Sequence, residues 1–197
     1  MRIRKWQRII IFFIGISFVQ GCAEMATDVA MTGAQAVYNQ RSLQKKWKDQ
    51  YISMQAFKAL DIDDTRFKNT NIAIATFNGE VLLAGQAPTS WQRAEAERLI
   101  KQIPDVTKIY NLIIVSTPSS TLTRISDAWI TAKVKAQMIA SADVDATQIK
   151  VVTENGTVYL MGMLLPSEAN AAVDIARSTD GVEQVVKMFT YLRISKS

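Results

Sequence analysis

The chain contains no histidine, and Cys22 is the single cysteine among its 197 residues. Without histidine, Ser-His and Cys-His nucleophile systems cannot be assembled, and metal sites with imidazole ligands are excluded. A lone cysteine cannot form a disulfide within the chain. These absences argue against an enzyme and favour a binding protein that needs no cofactor and no metal.

Acidic side chains are missing from the first 21 residues, which contain four basic ones. The segment M-R-I-R-K-W-Q-R precedes an apolar run from Ile9 to Val19, an order typical of a secretory signal peptide. The run is shorter than the roughly 20 residues that span a bilayer. Without this segment the chain has 19 basic and 18 acidic side chains, and its net charge falls from +5 to +1. A chain whose acidic and basic side chains are nearly equal in number gives no support to a nucleic-acid partner, because phosphate binding requires a basic surface.

The residues Val19-Gln20-Gly21-Cys22 resemble the lipobox of bacterial lipoproteins. The resemblance implies a signal peptide over residues 1–21 and a lipid anchor on Cys22. Ala23 follows the cysteine in place of the aspartate that favours inner-membrane retention. The implied location is the outer membrane of a Gram-negative envelope, facing the periplasm. The alternative is an uncleaved signal anchor with an incidental cysteine.

The remaining chain contains two copies of one unit. F-N-G-E-V-L-L-A-G at 77–85 matches E-N-G-T-V-Y-L-M-G at 154–162, with an offset of 77 residues. The stretch S-T-P-S-S-T-L-T between the copies has the composition of a linker. We therefore predict a lipidated tether over 22–48, a first domain over 49–115, a linker over 116–123 and a second domain over 124–197.

Each copy has the element order α-β-β-α-β. Asn78-Gly79 and Asn155-Gly156 predict tight hairpin turns, because Asn-Gly tolerates positive φ angles. Helices are predicted near 50–60 and 127–140, then from Thr89 to about Ile103 and from Ser167 to about Ser178, with last strands over 108–115 and 184–194. Thr89 and Gln92 form a potential capping box. The fold class is α+β, with two helices on one face of each small mixed sheet. Five glycines are predicted to be structural: Gly79, Gly85, Gly156, Gly162 and Gly181.

The motif N-G-x-V-x-L-x-G, an alanine-rich helix and Gly181-Val182-Glu183-Gln184-Val185 together resemble the BON domain. Two copies behind a lipobox are similar to the dual-BON outer-membrane lipoproteins. The first copy departs from the pattern, with Pro104-Asp105-Val106 where Gly-Val is usual. The resemblance implies a binding module that contributes to outer-membrane integrity and contacts anionic phospholipid through its second domain.

The segment W-I-T-A-K-V-K-A-Q-M-I-A at 129–140 has two apolar stripes at helical spacing. Ile130, Val134 and Met138 form a core stripe. The other side contains Trp129 and Ile139, with Lys133 and Lys135 as flanks, and three alanines, Ala132, Ala136 and Ala140. This second stripe either packs against the other repeat or the linker, or lies on a membrane surface, where tryptophan and lysine are favoured. We predict a phospholipid-binding site at Trp129, Lys133, Lys135 and Ile139.

Two further interpretations stay open. A scaffold that binds an outer-membrane protein assembly machine, or another envelope protein, would use the sheet faces or the groove between repeats, with Trp91 and Tyr159 as exposed contacts. The basic residues Arg41, Lys45, Lys46 and Lys48 of the tether form either a solvated basic face or a contact to lipid head groups.

Overall fold

A computed structural model of the chain describes residues 33–61 and 65–192. Cys22 and the predicted cleavage site lie outside these residues. Two units of helix, hairpin, helix and strand follow one another. The first comprises α1 (Gly33–Ala59), β1 (Asn71–Phe77), β2 (Glu80–Ala87), α2 (Ser90–Ile100) and β3 (Lys108–Val115), and the second comprises α3 (Thr121–Ala140), β4 (Ile149–Glu154), β5 (Thr157–Leu164), α4 (Pro166–Ser178) and β6 (Gln184–Tyr191).

Each unit forms a three-stranded mixed sheet with the second strand in the centre. β1 and β2 are an antiparallel hairpin in which Ile74 lies opposite Leu83. β3 runs parallel to β2, because α2 carries the chain back across the sheet between them. The second unit repeats this topology, with Val151 of β4 opposite Leu160 of β5. The α+β class and the repeated element order predicted from the sequence are confirmed.

One face of each sheet is covered by the two helices of its own unit. In the first unit, Ile52 of α1 and Ile100 of α2 pack against Val81 and Leu83 of β2. In the second unit, α3 contributes Ile130, Val134 and Met138 to the equivalent cluster, and α4 contributes small residues such as Ala172 and Ala176. The residues that each helix contributes to its core recur at the three- to four-residue spacing of one helix face.

The opposite faces of the two sheets pack against each other. Leu82 and Ala84 of β2 share a buried cluster with Tyr159 and Met161 of β5, and Met188 of β6 completes it. These residues alternate along the strands with those that face the helices, as strand geometry requires. The described residues from 42 onward therefore form four layers, in the order helices, sheet, sheet, helices. α1 and α3 belong to opposite outer layers.

An aspartate carboxylate fixes the first helix of each unit to its hairpin. Asp127 of α3 accepts hydrogen bonds from the backbone N–H groups of Asn155 and Gly156, at 2.8 and 2.9 Å. Asp49 of α1 accepts the equivalent bonds from Asn78 and Gly79, both at 2.8 Å. The turn residues have positive φ angles, as the Asn-Gly pairs predict. The carboxylates thus set the rotation of α1 and α3 about their axes.

The glycines occupy positions with little room. Gly85 has a φ of 109°, and a Cβ there would overlap the carbonyl oxygen of Asn71. At Gly162 a Cβ would lie 2.7 Å from the carbonyl oxygen of Gln148. Gly181 has a φ of 92° and packs against Ile130 of α3. The capping box of Thr89 and Gln92 at the start of α2 is present as predicted.

Several predicted boundaries are wrong. α1 begins at Gly33, so that much of the predicted tether over 22–48 is helical, because its lysine- and glutamine-rich sequence has high helix propensity. α3 begins at Thr121 inside the predicted 116–123 linker, since the Ser120 hydroxyl accepts a hydrogen bond from the Thr123 N–H and caps the helix. The second helix of the first unit ends at Ile100 and the last strand of the second unit at Tyr191.

Candidate functional site

The outward side of α3 is an apolar stripe along the whole helix. Trp129 and Ile139 have 66% and 74% of their surface exposed, and Leu122 and Ile125 extend the stripe toward the helix start. Ala132 and Ala136, which are also exposed, fill the positions between them. The six residues follow one another at alternating steps of three and four, the spacing of a single helix face.

The same carboxylate and core contacts that hold α3 also orient this stripe. Asp127, Ile130, Val134 and Met138 are buried on the inward side of the helix. Because these residues define the inward direction, a rotation of the helix that buried Trp129 would expose the core. Trp129 is therefore fixed in an outward position by the fold.

Basic side chains border the stripe on both sides. Lys133 and Lys135 are exposed and lie at opposite edges of the stripe, given the 100° turn per residue. Arg124 is exposed on the same edge as Lys135 and lies nearer the start of α3. Asp127 is the only acidic residue of α3. Both of its carboxylate oxygens accept hydrogen bonds from the turn between β4 and β5. The outward side is consequently apolar at its centre and positive at its edges.

A small apolar recess opens beside the end of the stripe. Its volume is about 160 Å³. Lys135, Met138 and Ile139 of α3 form one wall, and Ile149 and Val151 of β4 form another. An alkyl group can enter such a recess without desolvating a polar group.

The structure brings together all four residues of the predicted phospholipid site. Trp129, Lys133, Lys135 and Ile139 share the outward side of one helix. The alternative that this stripe packs against the other repeat or the linker is wrong, because Trp129 and Ile139 are largely exposed. The sequence prediction missed Leu122 and Ile125, since it began the helix at Asp127. Extension of the three-four spacing backward from Trp129 would have found them.

The contacts expected for a scaffold are only partly accessible. Trp91 at the start of α2 is exposed, as expected. Tyr159 is wrong as an exposed contact, because it retains 5% of its surface and packs between the sheets. Its alternation along β5 was read correctly, but the second sheet that covers this face was not anticipated.

A polar cluster joins the two units at one edge of the sheet contact. The Asn71 side-chain amide donates to Gln86 Oε1, Ser119 Oγ and Glu154 Oε2, the last at 2.9 Å. Burial, and then the nearby charge of Asp127, raise the pKa of the Glu154 carboxyl to about 7. The hydrogen bond to Glu154 thus links β1 of the first unit to β4 of the second.

The described part of the chain contains neither a metal-binding cluster nor a membrane-spanning helix. Among residues 33–61 and 65–192, no three acidic, histidine or cysteine side chains are grouped closely enough to hold a metal ion. No helix within the same ranges is both long and apolar enough to cross a membrane.

Comparison with known proteins decides the family. The model of the BON domain matches residues 48–117 and again residues 126–193. The chain belongs to the BON-domain family. The resemblance stated from the Asn-Gly and Gly-Val motifs is thereby confirmed for both copies, including the first copy with its Pro104-Asp105-Val106 departure.

Three relatives illustrate the range of this similarity. The chain is 35% identical to the outer membrane lipoprotein DolP of Haemophilus influenzae, over 89% of this chain and 91% of that protein. It is 35% identical to the 21 kDa hemolysin of Actinobacillus pleuropneumoniae, over 78% and 79% of the two chains. It is 29% identical to the osmotically-inducible protein Y of Escherichia coli, over 65% of each. None of the three is named as an enzyme.

Proposed function

We propose that this BON-domain protein is a lipid-anchored protein of the outer membrane, facing the periplasm, that binds anionic phospholipid through α3 and supports envelope integrity. One observation carries the proposal: Trp129 and Ile139 project outward from a helix whose inward side is fully committed to the core, with Lys133 and Lys135 at the edges. The similarity to a named outer membrane lipoprotein supports the location, and the lipobox at Cys22 supports the anchor.

The arrangement suits the boundary between head groups and acyl chains. Tryptophan is enriched at that boundary, because its ring is apolar and its indole N–H is polar. Leu122, Ile125 and Ile139 can enter the outer part of the acyl region, each gaining up to roughly 1.5–3 kcal/mol on full burial. Lysines at the edges can reach lipid phosphates, and each contributes about 1 kcal/mol near an anionic surface.

The anchor and the helix face would have different roles. The acyl chains on Cys22 would hold the protein to its membrane, at about 0.8 kcal/mol per buried CH₂ group. The α3 face is too small to add much to that retention. A tethered face nevertheless acts at a high effective concentration, so a weak contact is sufficient to select anionic lipid and to orient the domains.

The test is co-sedimentation of residues 22–197, without acyl groups, with vesicles. Phosphatidylcholine vesicles are compared with equimolar phosphatidylcholine and phosphatidylglycerol. We expect sedimentation with the anionic vesicles alone, and weaker binding in Trp129→Glu at unchanged melting temperature. Trp91→Glu, which changes another exposed tryptophan, is the matched control and should bind as the parent does.

Charge reversal separates a lipid contact from general electrostatics. Lys133→Glu with Lys135→Glu should weaken binding more at low salt than at high salt, as screened attraction requires. Lys101→Glu with Lys187→Glu reverses two exposed charges outside α3 and should have a smaller effect. Equal sedimentation of the parent with neutral and anionic vesicles would contradict the proposal. In that case a scaffold that contacts an envelope protein through Trp91 becomes the better account.

A further inference from the structure

α1 of the first unit has an exposed apolar stripe of its own. Trp47 is 73% exposed, and Tyr51, Met54 and Phe57 follow it with about half of their surface exposed. Ile52, Ala56 and Leu60 on the other side of the helix belong to the core of the first unit. Four large apolar side chains on one exposed helix side cannot be explained by the packing of this unit.

The stripe occupies the place that the α3 stripe occupies in the second unit. Asp49 and Asp127 have the same role at their hairpin turns, and they align the two helices with an offset of 78 residues. With that offset, Tyr51 corresponds to Trp129 and Trp47 to Ile125. Both units therefore expose an aromatic residue at the same point of the same helix, although their sequences differ there.

The exposed charged side chains that α1 itself contributes are all basic. Lys45, Lys46, Lys48 and Lys58 are all exposed on the described part of the helix. Asp49 is the one acidic residue of α1, and its two oxygens accept the N–H groups of the hairpin turn. Lys48 is paired with Asp105 at 3.2 Å. The surface is complementary to an anionic partner, and the pairing of aromatic rings with lysine indicates a lipid surface.

The four-layer arrangement places the two stripes on opposite sides of the molecule. The cores under α1 and α3 lie on the outer faces of the two sheets, and the inner faces are buried against each other. Both stripes point away from their own cores. One flat bilayer therefore cannot contact the α1 stripe and the α3 stripe of one molecule at the same time.

We propose that the α1 stripe, formed by Trp47, Tyr51, Met54 and Phe57, is a second binding face for anionic phospholipid. The molecule then has two lipid faces that point in opposite directions. A single copy can bridge two anionic surfaces, or turn either face to one of them. The α1 site is independent of α3, whereas bridging also rests on the function proposed above for α3.

The experiment measures binding and bridging separately. Residues 22–197 without acyl groups are mixed with equimolar phosphatidylcholine and phosphatidylglycerol vesicles, and both co-sedimentation and turbidity are recorded. All residues of the three described core clusters are retained in this form. The α1 variant is Trp47→Glu with Phe57→Glu, and the α3 variant is Trp129→Glu with Ile139→Glu. Trp91→Glu, on the same outer layer as α1, is the control.

We expect the parent and the control to sediment with the vesicles and to raise turbidity. Each double variant should retain sedimentation but lose the rise in turbidity, and the combination of both should lose sedimentation as well. Lys46→Glu with Lys58→Glu should also abolish turbidity, without a change in any apolar residue. Unchanged melting temperatures show that each variant is folded.

Five results would overturn the α1 site, the bridging or the α3 function, and they differ from one another. Parent turbidity that stays at the vesicle baseline refutes bridging, and the double variant that loses sedimentation completely then shows which of the two faces does bind. Turbidity unaffected by the α1 variant refutes the α1 face and leaves α3 standing. Complete loss of sedimentation in the α3 variant also refutes the α1 face. Complete loss in the α1 variant instead refutes the α3 function. A parent that dimerises without lipid, and an α1 variant that does not, would assign the stripe to a contact between copies.

Discussion

The Asn71 side-chain amide donates a hydrogen bond of 2.9 Å to the Glu154 carboxylate and thereby joins the two BON domains. Glu154 lies at the end of β4, next to the Asn-Gly turn that Asp127 holds. Its carboxyl is partly buried and close to the Asp127 charge, with Arg124 as the nearby opposing charge. The contact between the domains therefore contains a carboxyl group whose ionised form is disfavoured.

Stability should change with pH because of this group. The pKa of Glu154 is raised from 4.5 to about 7, so between these values the folded chain binds more protons at this site than the unfolded chain. The contribution of Glu154 to stability is complete below about pH 4.5 and is lost as the pH rises through 7. Glu154→Gln retains an oxygen that accepts from Asn71. We expect it to stabilise the protein at pH 8, by about 1 kcal/mol after allowance for solvent screening, and to have little effect at pH 4.5.

Thermal unfolding of the parent and Glu154→Gln at several pH values measures this difference. Glu183→Gln, at an exposed position of the second domain, is the control for a general change of charge. A difference between the parent and Glu154→Gln that is constant from pH 4.5 to 8 would show that Glu154 ionises normally.

The carboxylate that holds α3 should be a strong determinant of stability. Asp127→Ala leaves the N–H groups of Asn155 and Gly156 without their acceptors, at a cost of about 1–3 kcal/mol for each group left buried and unpaired. Denaturant unfolding should show a larger loss for Asp127→Ala than for Asp49→Ala, because Asp127 is the more buried of the two. Asp143→Ala removes an exposed acid of the same domain and is the control. An effect of Asp127→Ala no larger than that of the control would mean that the turn does not need the carboxylate.

Gly162 should tolerate no side chain. A Cβ would lie 2.7 Å from the backbone carbonyl oxygen of Gln148, and neither strand can move without disturbing the hairpin. Gly162→Ala should therefore already destabilise the second domain by a few kcal/mol, and Gly162→Val should add comparatively little. The free energy of unfolding of the two variants tests this order. A neutral Gly162→Ala would show that β4 and β5 can separate at this point.

Much of the fold follows from local sequence signals. The Asn-Gly pairs predict the hairpins because few other residues adopt two consecutive positive φ angles. Thr89 and Gln92 predict the start of α2 through hydrogen bonds within one helical turn. Because the two copies share one sequence pattern, a helix or strand assigned in one copy is also expected in the other. The four residues of the α3 site could be predicted for the same reason, since helical spacing is local.

Long-range partners could not be predicted in this way. The bond from Asn71 to Glu154 joins residues 83 positions apart, and no local pattern indicates it. The alternation of β5 shows that Tyr159 lies on the face away from the helices, but whether that face meets water or a second sheet depends on tertiary packing. The α1 stripe was missed because Trp47 falls in the stretch interpreted as a tether, before the expected start of the helix.

Anchoring should depend on Cys22 alone. If the lipobox is functional, Cys22→Ala abolishes acylation and leaves the protein either unprocessed or soluble in the periplasm. Metabolic labelling with palmitate, followed by fractionation of the envelope, measures both outcomes. Palmitate retained in Cys22→Ala would refute the assignment and favour the uncleaved signal anchor.

The central claim is that Trp129 enters an anionic bilayer, and its fluorescence tests this directly. Trp47→Phe with Trp91→Phe, in residues 22–197 without acyl groups, leaves Trp129 as the sole tryptophan. On addition of equimolar phosphatidylcholine and phosphatidylglycerol vesicles, we predict a blue shift of the emission and quenching by lipids brominated near the head group. Phosphatidylcholine vesicles should produce neither effect. Emission that stays unshifted and unquenched with anionic vesicles to which the protein is bound would contradict the account, because α3 would then not be the lipid face.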